Sequence, residues 1–213
     1  AYGRSPVTKL NKGALSTVEP SKLGAEVMRG VLKKVPQLPL DMIDDVIVGC
    51  AYPEEYQGYN LGRVVAKRAG LPDSVPGQTV NRFCSGGLQS IAHCASAIMS
   101  YQADVIVAGG IECASWCPMT VVDLSSLDPF LFKKKPFIYT PMGLTAEIVA
   151  EKSKEILGVD FSREEMDEFA VNSHKKAAKA FKNGEFKKEI IPITYKDKKG
   201  NLSVVSEDDG IRT

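Results

Sequence analysis

The sequence predicts an α/β fold in which short buried strands alternate with amphipathic helices. Apolar runs of strand length lie at 45–49, 77–83 and 104–108, and the segments between them carry apolar residues at helical spacing. Strands separated by helices imply parallel βαβ units. After residue 114 the pattern changes to a long irregular stretch and two longer helices, which predicts a second, largely helical part.

Local patterns set the order of the elements in the first part. They predict a helix over 22–35, the first strand, a polar loop at 53–59, a helix over 60–69, the second strand, a helix that begins near Cys84, and the third strand. The helix over 60–69 ends at Gly70, because glycine is favoured just after a helix. A cysteine that follows a central strand lies at the carboxyl end of the sheet, where open α/β sheets place their active sites.

The second part has its own order of predicted elements. They are an irregular excursion over 115–141, a helix over 143–157, a longer helix up to Asn183–Gly184, and a hairpin of the segments 190–195 and 202–205. Ser162 and Glu165 have the spacing of a capping box, which would open the longer helix. We therefore divide the chain into one domain over 1–114 and a second over 115–213.

Composition and charge argue against several classes of protein. The chain has 44% hydrophobic and 25% charged residues and a net charge of +1, which favours neither a nucleic-acid partner nor a membrane. Five cysteines, an odd number, indicate a reducing compartment, either the bacterial cytoplasm or an organelle such as the peroxisome or mitochondrion. None of them forms a Cys-x-x-Cys pair, so the sequence predicts no metal site.

The segment 81–89 places Cys84 where a short strand is expected to pass into a helix. The first turn of a helix carries free N–H groups and a partial positive charge, which favour the thiolate form of cysteine and can stabilise an oxyanion. Gly86 and Gly87 would allow another backbone or a ligand to come close. On geometry alone, a buried cysteine with a packing role is at least as good an interpretation, since free cysteine is among the most buried residue types.

Four segments carry a pattern that extends along the chain. They lie at 81–89 (NRFCSGGLQ), 103–112 (ADVIVAGGIE), 141–147 (PMGLTAE) and 207–212 (EDDGIR). In this order and spacing they resemble the thiolase family, in particular its 3-ketoacyl-CoA thiolases (acetyl-CoA acyltransferases). The resemblance implies a thiolase-like N-terminal domain, with layered βαβ units around a mixed sheet, and a largely helical loop domain. It also implies that a first strand is missing from the start of the chain and that the C-terminal catalytic domain is absent.

The resemblance implies a reaction for the whole enzyme and roles for three residues. Cys84 would attack the keto carbon of a 3-ketoacyl-CoA, acetyl-CoA would leave, and a second CoA would release the shortened acyl-CoA from the acyl-enzyme. Met142 would line the pantetheine or acyl pocket, and Arg212 would approach a phosphate of CoA. The ordinary alternatives are a core methionine and a surface arginine. No cofactor is implied, because coenzyme A is a substrate.

A base for the thiol of Cys84 is harder to find in the sequence. His93 lies roughly 13 Å from Cys84 along the predicted helix at the standard rise, and His174 lies within a lysine-rich helix. Neither position suits a catalytic base. The resemblance implies that the histidine and a second catalytic cysteine come from the C-terminal domain, so residues 1–213 alone are expected to be inactive.

Two rival functions are compatible with the sequence. A biosynthetic acetoacetyl-CoA thiolase would run the same chemistry toward condensation, and a non-catalytic thiolase-like scaffold would bind acyl-CoA or a protein partner. The resemblance also implies a homodimer or homotetramer. The run Lys133–Lys135 has two interpretations, a contact with CoA phosphates or a solvated loop, and the second is the more common outcome.

Overall fold

The computed structural model describes residues 1–118, 127–197 and 199–212. The chain divides into two compact units, Ala1–Met119 with Gly184–Gly210, and Thr120–Asn183 with Ile211–Thr213. The division predicted at residue 114 differs from this one mainly in the segment after Gly184. That segment carries the predicted hairpin and belongs to the first unit.

Strands and helices alternate along the first unit, as the sequence predicts. Its helices are α1 (Pro20–Leu32), α2 (Leu61–Ala69) and α3 (Gly86–Met99). Its strands are β1 (Asp45–Gly49), β2 (Gln78–Val80), β3 (Ile106–Gly110), β4 (Ile193–Lys196) and β5 (Leu202–Val205). The helices of the second unit are α4 (Pro129–Lys134), α5 (Met142–Leu157) and α6 (Arg163–Lys182). Short 3-10 helices lie at Ala14–Thr17, Leu40–Met42, Glu55–Gln57, Pro136–Tyr139 and Glu185–Lys188.

Strands β1, β2 and β3 form one parallel sheet in the order β2-β1-β3. The register aligns Gly49 with Val80 on one side and with Gly110 on the other, so the three strands end at the same edge. The α/β class and the parallel βαβ units predicted from the sequence are confirmed. Strands β4 and β5 pair antiparallel as the predicted hairpin. Among the described residues, the parallel and antiparallel pairs lie in separate sheets.

The main core of the first unit joins β1 with α1 and α2. Its buried apolar side chains are Met28, Ile43, Val46, Val48, Cys50, Leu61, Val65, Ala66, Leu71 and Val75. Helix α2 begins at Asn60, whose side chain accepts a hydrogen bond from the N–H of Arg63, and ends at Gly70 in the left-handed conformation, as predicted. Burial of an apolar face supplies most of the stability of such short helices.

Strand β3 begins at Ile106, two residues later than predicted. The carboxylate of Asp44 accepts the N–H groups of Asp104 and Val105 at 2.7 and 2.9 Å. N–H groups held by a side chain are no longer free to pair with a neighbouring strand. The same two bonds, that of Val105 first, hold the pKa of Asp44 below its usual value.

The capping box predicted at the start of α6 is confirmed. Ser162 Oγ accepts the N–H of Glu165 at 3.2 Å, and the Glu165 carboxylate accepts the N–H of Ser162 at 2.9 Å. Helix α6 ends next to Asn183, as predicted. Local sequence signals therefore suffice to delimit this helix.

The excursion predicted to be irregular over 115–141 contains a short helix. The side chain of Asp128 accepts the N–H of Leu131 at 2.7 Å and caps the start of α4. The prediction of little regular structure is therefore wrong for this helix and the 3-10 turn that follows it. Residues 119–126 of the excursion lie outside the described residues.

Arg4 links the N-terminal segment to residues of the first unit that lie far along the chain. Its guanidinium donates two hydrogen bonds to Asp208, at 2.8 and 2.9 Å, and one to Glu189 at 2.7 Å. The ring of Phe186 lies 5.3 Å from the guanidinium carbon. The N–H of Val7 also donates to Asp208, at 2.7 Å. These bonds, chiefly those from Arg4, hold the pKa of Asp208 below its usual value.

Asp208→Asn is expected to lower the free energy of unfolding by about 1–2 kcal/mol at pH 7, because the ion pair with Arg4 is lost. The folded-state pKa of Asp208 is depressed, so this stabilisation is present above the unfolded-state value of about 3.9 and disappears as the pH falls through the folded-state value. Urea unfolding at neutral and acidic pH measures both effects. The difference between wild type and variant should shrink in acid.

Asp73→Asn is the matched control for this ion pair. The side chain of Asp73 is fully exposed (100%) and lies 3.6 Å from the amine of Lys67. An exposed pair of this kind contributes little, so the control should leave the urea midpoint unchanged. Equal losses from Asp208→Asn and Asp73→Asn at pH 7 would contradict a stabilising role for Arg4 and Asp208.

Candidate active site

Cys84 lies in the turn between β2 and α3, next to the edge where the parallel strands end. Strand β2 stops at Val80 and not at residue 83, because Asn81 turns the chain by accepting the N–H of Phe83 at 2.8 Å. Phe83 has a φ of 45°, in the left-handed region that residues with side chains rarely adopt. The turn leaves Cys84 exposed. The alternative of a buried packing role therefore does not hold for this cysteine.

The start of α3 lies directly against the ends of β1 and β3. A Cβ on Gly49 would lie 2.6 Å from the nitrogen of Gly87 and closer still to the carbonyl group of Gly86. A Cβ on Gly110 would lie 3.2 Å from the Cα of Gly87. A Cβ on Gly86 would lie only 3.1 Å from the Cα of Gly49, so Gly86 admits the neighbouring backbone, which is one of the two interpretations that the sequence allowed, whereas a Cβ on Gly87 would make an ordinary contact of 3.8 Å.

The first turn of α3 has no side-chain cap among the described residues. Ser85 occupies the capping position, but its hydroxyl donates to the carbonyl of Arg82 at 3.0 Å. The N–H of Gly86 donates to the carbonyl of Phe83 at 2.9 Å, whereas those of Gly87 and Leu88 have no acceptor in the part of the chain that the structure describes and thus stay available to an anion beside Cys84. N–H groups so placed can stabilise the oxygen of a thioester as it gains negative charge.

The other four cysteines differ from Cys84 in burial. Cys50, Cys94 and Cys117 are buried and Cys113 is half-buried. Burial, with a smaller contribution from Glu112, raises the pKa of Cys50 and that of Cys113 to about 12. Burial also raises the pKa of Cys94 and of Cys117. Thiols with raised pKa values are poor nucleophiles at neutral pH.

Iodoacetamide is expected to alkylate Cys84 at least about tenfold faster than any other cysteine at neutral pH, because Cys84 is the exposed one of the five. Quenched time courses of the folded chain, followed by peptide mapping, give the rate at each position. The same mapping in denaturant is the control, since all five thiols should then react alike. A rate at Cys113 equal to that at Cys84 would overturn this expected order of reactivity.

Sequence reasoning missed a set of hydrogen bonds next to the turn that carries Cys84. Gln57 is completely buried (0% exposed) and donates from Nε2 to the carboxylate of Glu112 at 2.7 Å. Glu112 accepts the N–H of Ala51 at 2.8 Å, and the carbonyl of Ala51 accepts the amide of Asn81 at 3.1 Å. Asn81 and Glu112 both lie in segments that carry the resemblance, which is the signal that could have marked them.

The two other predicted site residues belong to the second unit. Met142 is the first residue of α5 and is 74% exposed, so it is not a core methionine. Arg212 is exposed as well, and its backbone N–H donates to Nδ1 of His174 at 3.1 Å. The run Lys133–Lys135 at the end of α4 is exposed. The roles of these residues toward CoA stay predictions.

Two findings concern residues 1–118, 127–197 and 199–212, the ranges that the structure describes. Within them, no group of three or more His, Cys, Asp or Glu side chains is arranged to bind a metal ion. No helix in that part of the chain combines the length and the apolar character needed to cross a lipid bilayer.

Comparison with known proteins identifies the family. The sequence profile described as "Thiolase, N-terminal domain" matches residues 1–213. The chain belongs to the thiolase family. The family resemblance carried by the four segments is thereby confirmed for the whole of the given sequence.

Several proteins are similar to this thiolase chain. The 3-ketoacyl-CoA thiolase of Bacillus subtilis (strain 168) is 45% identical in an alignment of 217 positions, gaps included, that covers 98% of this chain and 54% of that protein. A probable acetyl-CoA acyltransferase of Staphylococcus aureus (strain COL) is 36% identical over 94% of this chain and 52% of its own length.

A solved structure supports the same relationship. The crystal structure of the Bacillus anthracis acetyl-CoA acetyltransferase is similar with a TM-score of 0.81 at 33% identity, over 99% of this chain and 53% of that one. The predicted thiolase-like fold is thus confirmed. The thiolase chain spans about half the length of these three relatives.

Proposed function

We propose that the thiolase represented by this chain transfers acyl groups between CoA thioesters and that Cys84 carries the acyl group. The observation that carries the proposal is the exposed thiol of Cys84 at an uncapped helix start, while the other four cysteines are buried or half-buried. The relatives named 3-ketoacyl-CoA thiolase and acetyl-CoA acyltransferase support this reaction class. Acyl-CoA and CoA are the substrates, and the reaction needs no further cofactor.

In the degradative direction, the sulfur of Cys84 adds to the keto carbon of a 3-ketoacyl-CoA. The bond between the keto carbon and the CH₂ carbon that separates it from the thioester breaks. Acetyl-CoA leaves, and an acyl-enzyme remains. The proton lost by the thiol of Cys84 ends on the methyl group of acetyl-CoA. The thiol of a second CoA then attacks the acyl-enzyme, which releases the shortened acyl-CoA and returns a proton to Cys84.

These proton transfers need a base and an acid near Cys84. The resemblance assigns them to a histidine and a second cysteine in the C-terminal domain of thiolases. His93 is exposed in the middle of α3, and Nδ1 of His174 accepts the N–H of Arg212, so neither is assigned the role of base. The contribution of this chain is the nucleophile and its backbone N–H at the helix start, which binds the oxygen of the thioester.

The second unit supplies two proposed contacts with the substrate. Met142 lines the pantetheine or acyl pocket, for which its exposed and flexible side chain is suited. Arg212 approaches a phosphate of CoA, since an exposed guanidinium can donate two parallel hydrogen bonds to a phosphate.

The proposed assembly is a homodimer or homotetramer. It rests on the resemblance to thiolases. Apolar side chains exposed on α3 indicate an interface, which either a second copy or the C-terminal domain of thiolases would form; they are Leu88, Ile91, Ile98 and Met99. The relatives quoted above are bacterial, which favours the bacterial cytoplasm over an organelle as the proposed compartment.

A biosynthetic thiolase is the second candidate, because the similar solved structure is named an acetyl-CoA acetyltransferase. Its reaction is the reverse of cleavage, namely the condensation of two acetyl-CoA molecules. The same acyl-enzyme on Cys84 would serve both directions, so the nucleophile does not distinguish them.

The test uses the full protein that contains residues 1–213, with acetoacetyl-CoA and a longer 3-ketoacyl-CoA, each with and without CoA. Chromatography of the thioesters should show CoA-dependent cleavage of both, faster for the longer substrate. Cleavage of acetoacetyl-CoA but not of the longer substrate, together with condensation of acetyl-CoA, would favour the biosynthetic candidate. Binding of acyl-CoA without any turnover would overturn the enzymatic function and favour a scaffold.

A further inference from the structure

We propose that Asn81 is a positioning residue for the nucleophile. Its side chain forms two hydrogen bonds that hold the turn on which Cys84 is presented, and Glu112 anchors the other end of the same hydrogen-bonded chain. The inference rests on the proposed role of Cys84 as the residue that accepts the acyl group. Neither Asn81 nor Glu112 contacts the substrate in this proposal.

Asn81 connects the ends of two neighbouring strands. Its Oδ1 accepts the N–H of Phe83 at 2.8 Å, and its Nδ2 donates to the carbonyl of Ala51 at 3.1 Å. Ala51 follows the end of β1, and Asn81 follows the end of β2, so the side chain bridges the edge of the sheet. This bridge sets the position of the chain one residue before Cys84.

Phe83 needs such support because of its backbone conformation. Its φ of 45° is left-handed, which is unfavourable for a residue with a Cβ. The hydrogen bond from its N–H to Asn81 stabilises this conformation. The ring of Phe83 also packs edge-on against Tyr52, with 6.2 Å between the ring centroids. Without the Asn81 side chain, the contact with Tyr52 would be the one side-chain contact described above that still holds Phe83 in place.

The chain of hydrogen bonds continues from Ala51 to a charged anchor. The N–H of Ala51 donates to one oxygen of Glu112 at 2.8 Å, and Gln57 donates to the other oxygen at 2.7 Å. Gln57 also donates to the carbonyl of Tyr52 at 2.8 Å and accepts the N–H of Cys113 at 2.7 Å. Gln57 is completely buried whereas Glu112 is exposed, so the two hydrogen bonds are what orient the carboxylate of Glu112. Hydrogen bonds to a carboxylate are stronger than those between neutral groups.

The expected consequence concerns the rate of acyl transfer more than the binding of substrate. A displacement of about 1 Å in a reacting group can lower the rate about a hundredfold, because the attack geometry is lost. Asn81→Ala removes both bonds from the turn and should let Cys84 occupy several positions. We expect kcat to fall about 10- to 100-fold, with KM changed less than about threefold.

Kinetics of the full protein that contains this chain test the proposal. Asn81→Asp keeps the oxygen that accepts the N–H of Phe83 and should recover part of the lost kcat. Asn60→Ala is the matched control, because Asn60 also accepts a backbone N–H, that of Arg63 at 3.3 Å, and donates to a backbone carbonyl, that of Gly77 at 2.6 Å. This control removes the same number of bonds to the backbone and should leave kcat unchanged.

Three outcomes decide the matter. The proposal is supported if Asn81→Ala lowers kcat, Asn81→Asp recovers part of the loss, and Asn60→Ala keeps the wild-type kcat. Wild-type kcat in Asn81→Ala, or equal losses in Asn81→Ala and Asn60→Ala, overturns it. Turnover that persists in Cys84→Ser would instead overturn the proposed function on which the inference rests.

Glu112→Gln keeps the proposal testable if Asn81→Ala does not fold. The glutamine retains the shape of Glu112 but loses its charge and replaces one accepting oxygen with a donor. We expect a fall in kcat of about 3- to 10-fold without a matching rise in KM. Wild-type kcat in both Glu112→Gln and Asn81→Asp would overturn the positioning role.

Discussion

Replacement of Cys84 by serine is expected to lower kcat for cleavage of a 3-ketoacyl-CoA by about ten-thousand-fold or more. A serine hydroxyl at this position is a weaker nucleophile than a thiol, and it cannot form the thioester that CoA must cleave in the second step. Steady-state kinetics of the full protein that contains residues 1–213 measure the loss. Thermal unfolding should change little, because the side chain of Cys84 is exposed.

Cys113→Ser is the matched control for Cys84→Ser. Cys113 is half-buried and its pKa is raised to about 12, so its thiol is not expected to take part in the reaction. This variant should keep kcat within about threefold of wild type. Retention of turnover in Cys84→Ser, or an equal loss in Cys113→Ser, would contradict the assignment of the nucleophile.

Gly49→Ala is expected to lower the free energy of unfolding of the first unit by about 3 kcal/mol or more. The new methyl group would overlap the backbone of Gly86 and Gly87 at the start of α3. Backbone atoms cannot rotate out of the way, as a flexible side chain could, so α3 or β1 must move. Urea unfolding, with the intensity of the helical circular dichroism signal as the probe, measures the effect.

Gly109→Ala is the control for Gly49→Ala. Gly109 also lies near the end of a strand of the parallel sheet, in β3, but a Cβ there meets no atom of the described residues within 4 Å. This substitution should leave the midpoint of unfolding nearly unchanged. Comparable losses in both variants would show that glycine at the ends of these strands matters for a reason other than the close approach of α3.

Features of the fold with local sequence signals are predicted well. The bounds predicted for β1, 45–49, agree with the structure, because a short apolar run between polar segments marks a buried strand. Helix α6 begins at its predicted capping box, whose two hydrogen bonds join residues only three apart in sequence. The turn at Cys84 is also predicted, since strand, glycines and helix follow one another directly.

The group of side chains behind Cys84 lacks such a local signal. Gln57 and Glu112 are 55 residues apart, and Asn81 bonds to Ala51 across 30 residues. Each residue alone resembles an ordinary polar residue of a loop. Only the pairing of β1 with β2 and β3 brings these loops to one edge of the sheet.

The placement of the hairpin depends on similar long-range packing. The sequence predicts β4 and β5 as a hairpin but does not reveal what it covers. In the structure Ile193 is completely buried with Leu15, Val18 and Leu23, which lie near the start of the chain. Arg4 adds its ion pairs to Glu189 and Asp208. These contacts place the hairpin segment in the first unit, and no local sequence pattern predicts them.

Capture of the acyl-enzyme tests the central claim most directly. The full protein that contains this chain is mixed with a 3-ketoacyl-CoA in the absence of free CoA, quenched in acid and mapped by mass spectrometry. The account predicts one acyl group, shorter than that of the substrate by an acetyl unit, on the peptide with Cys84, and its release as acyl-CoA when CoA is added before the quench. An acyl group on any other residue, or turnover without acylation of Cys84, would contradict the account.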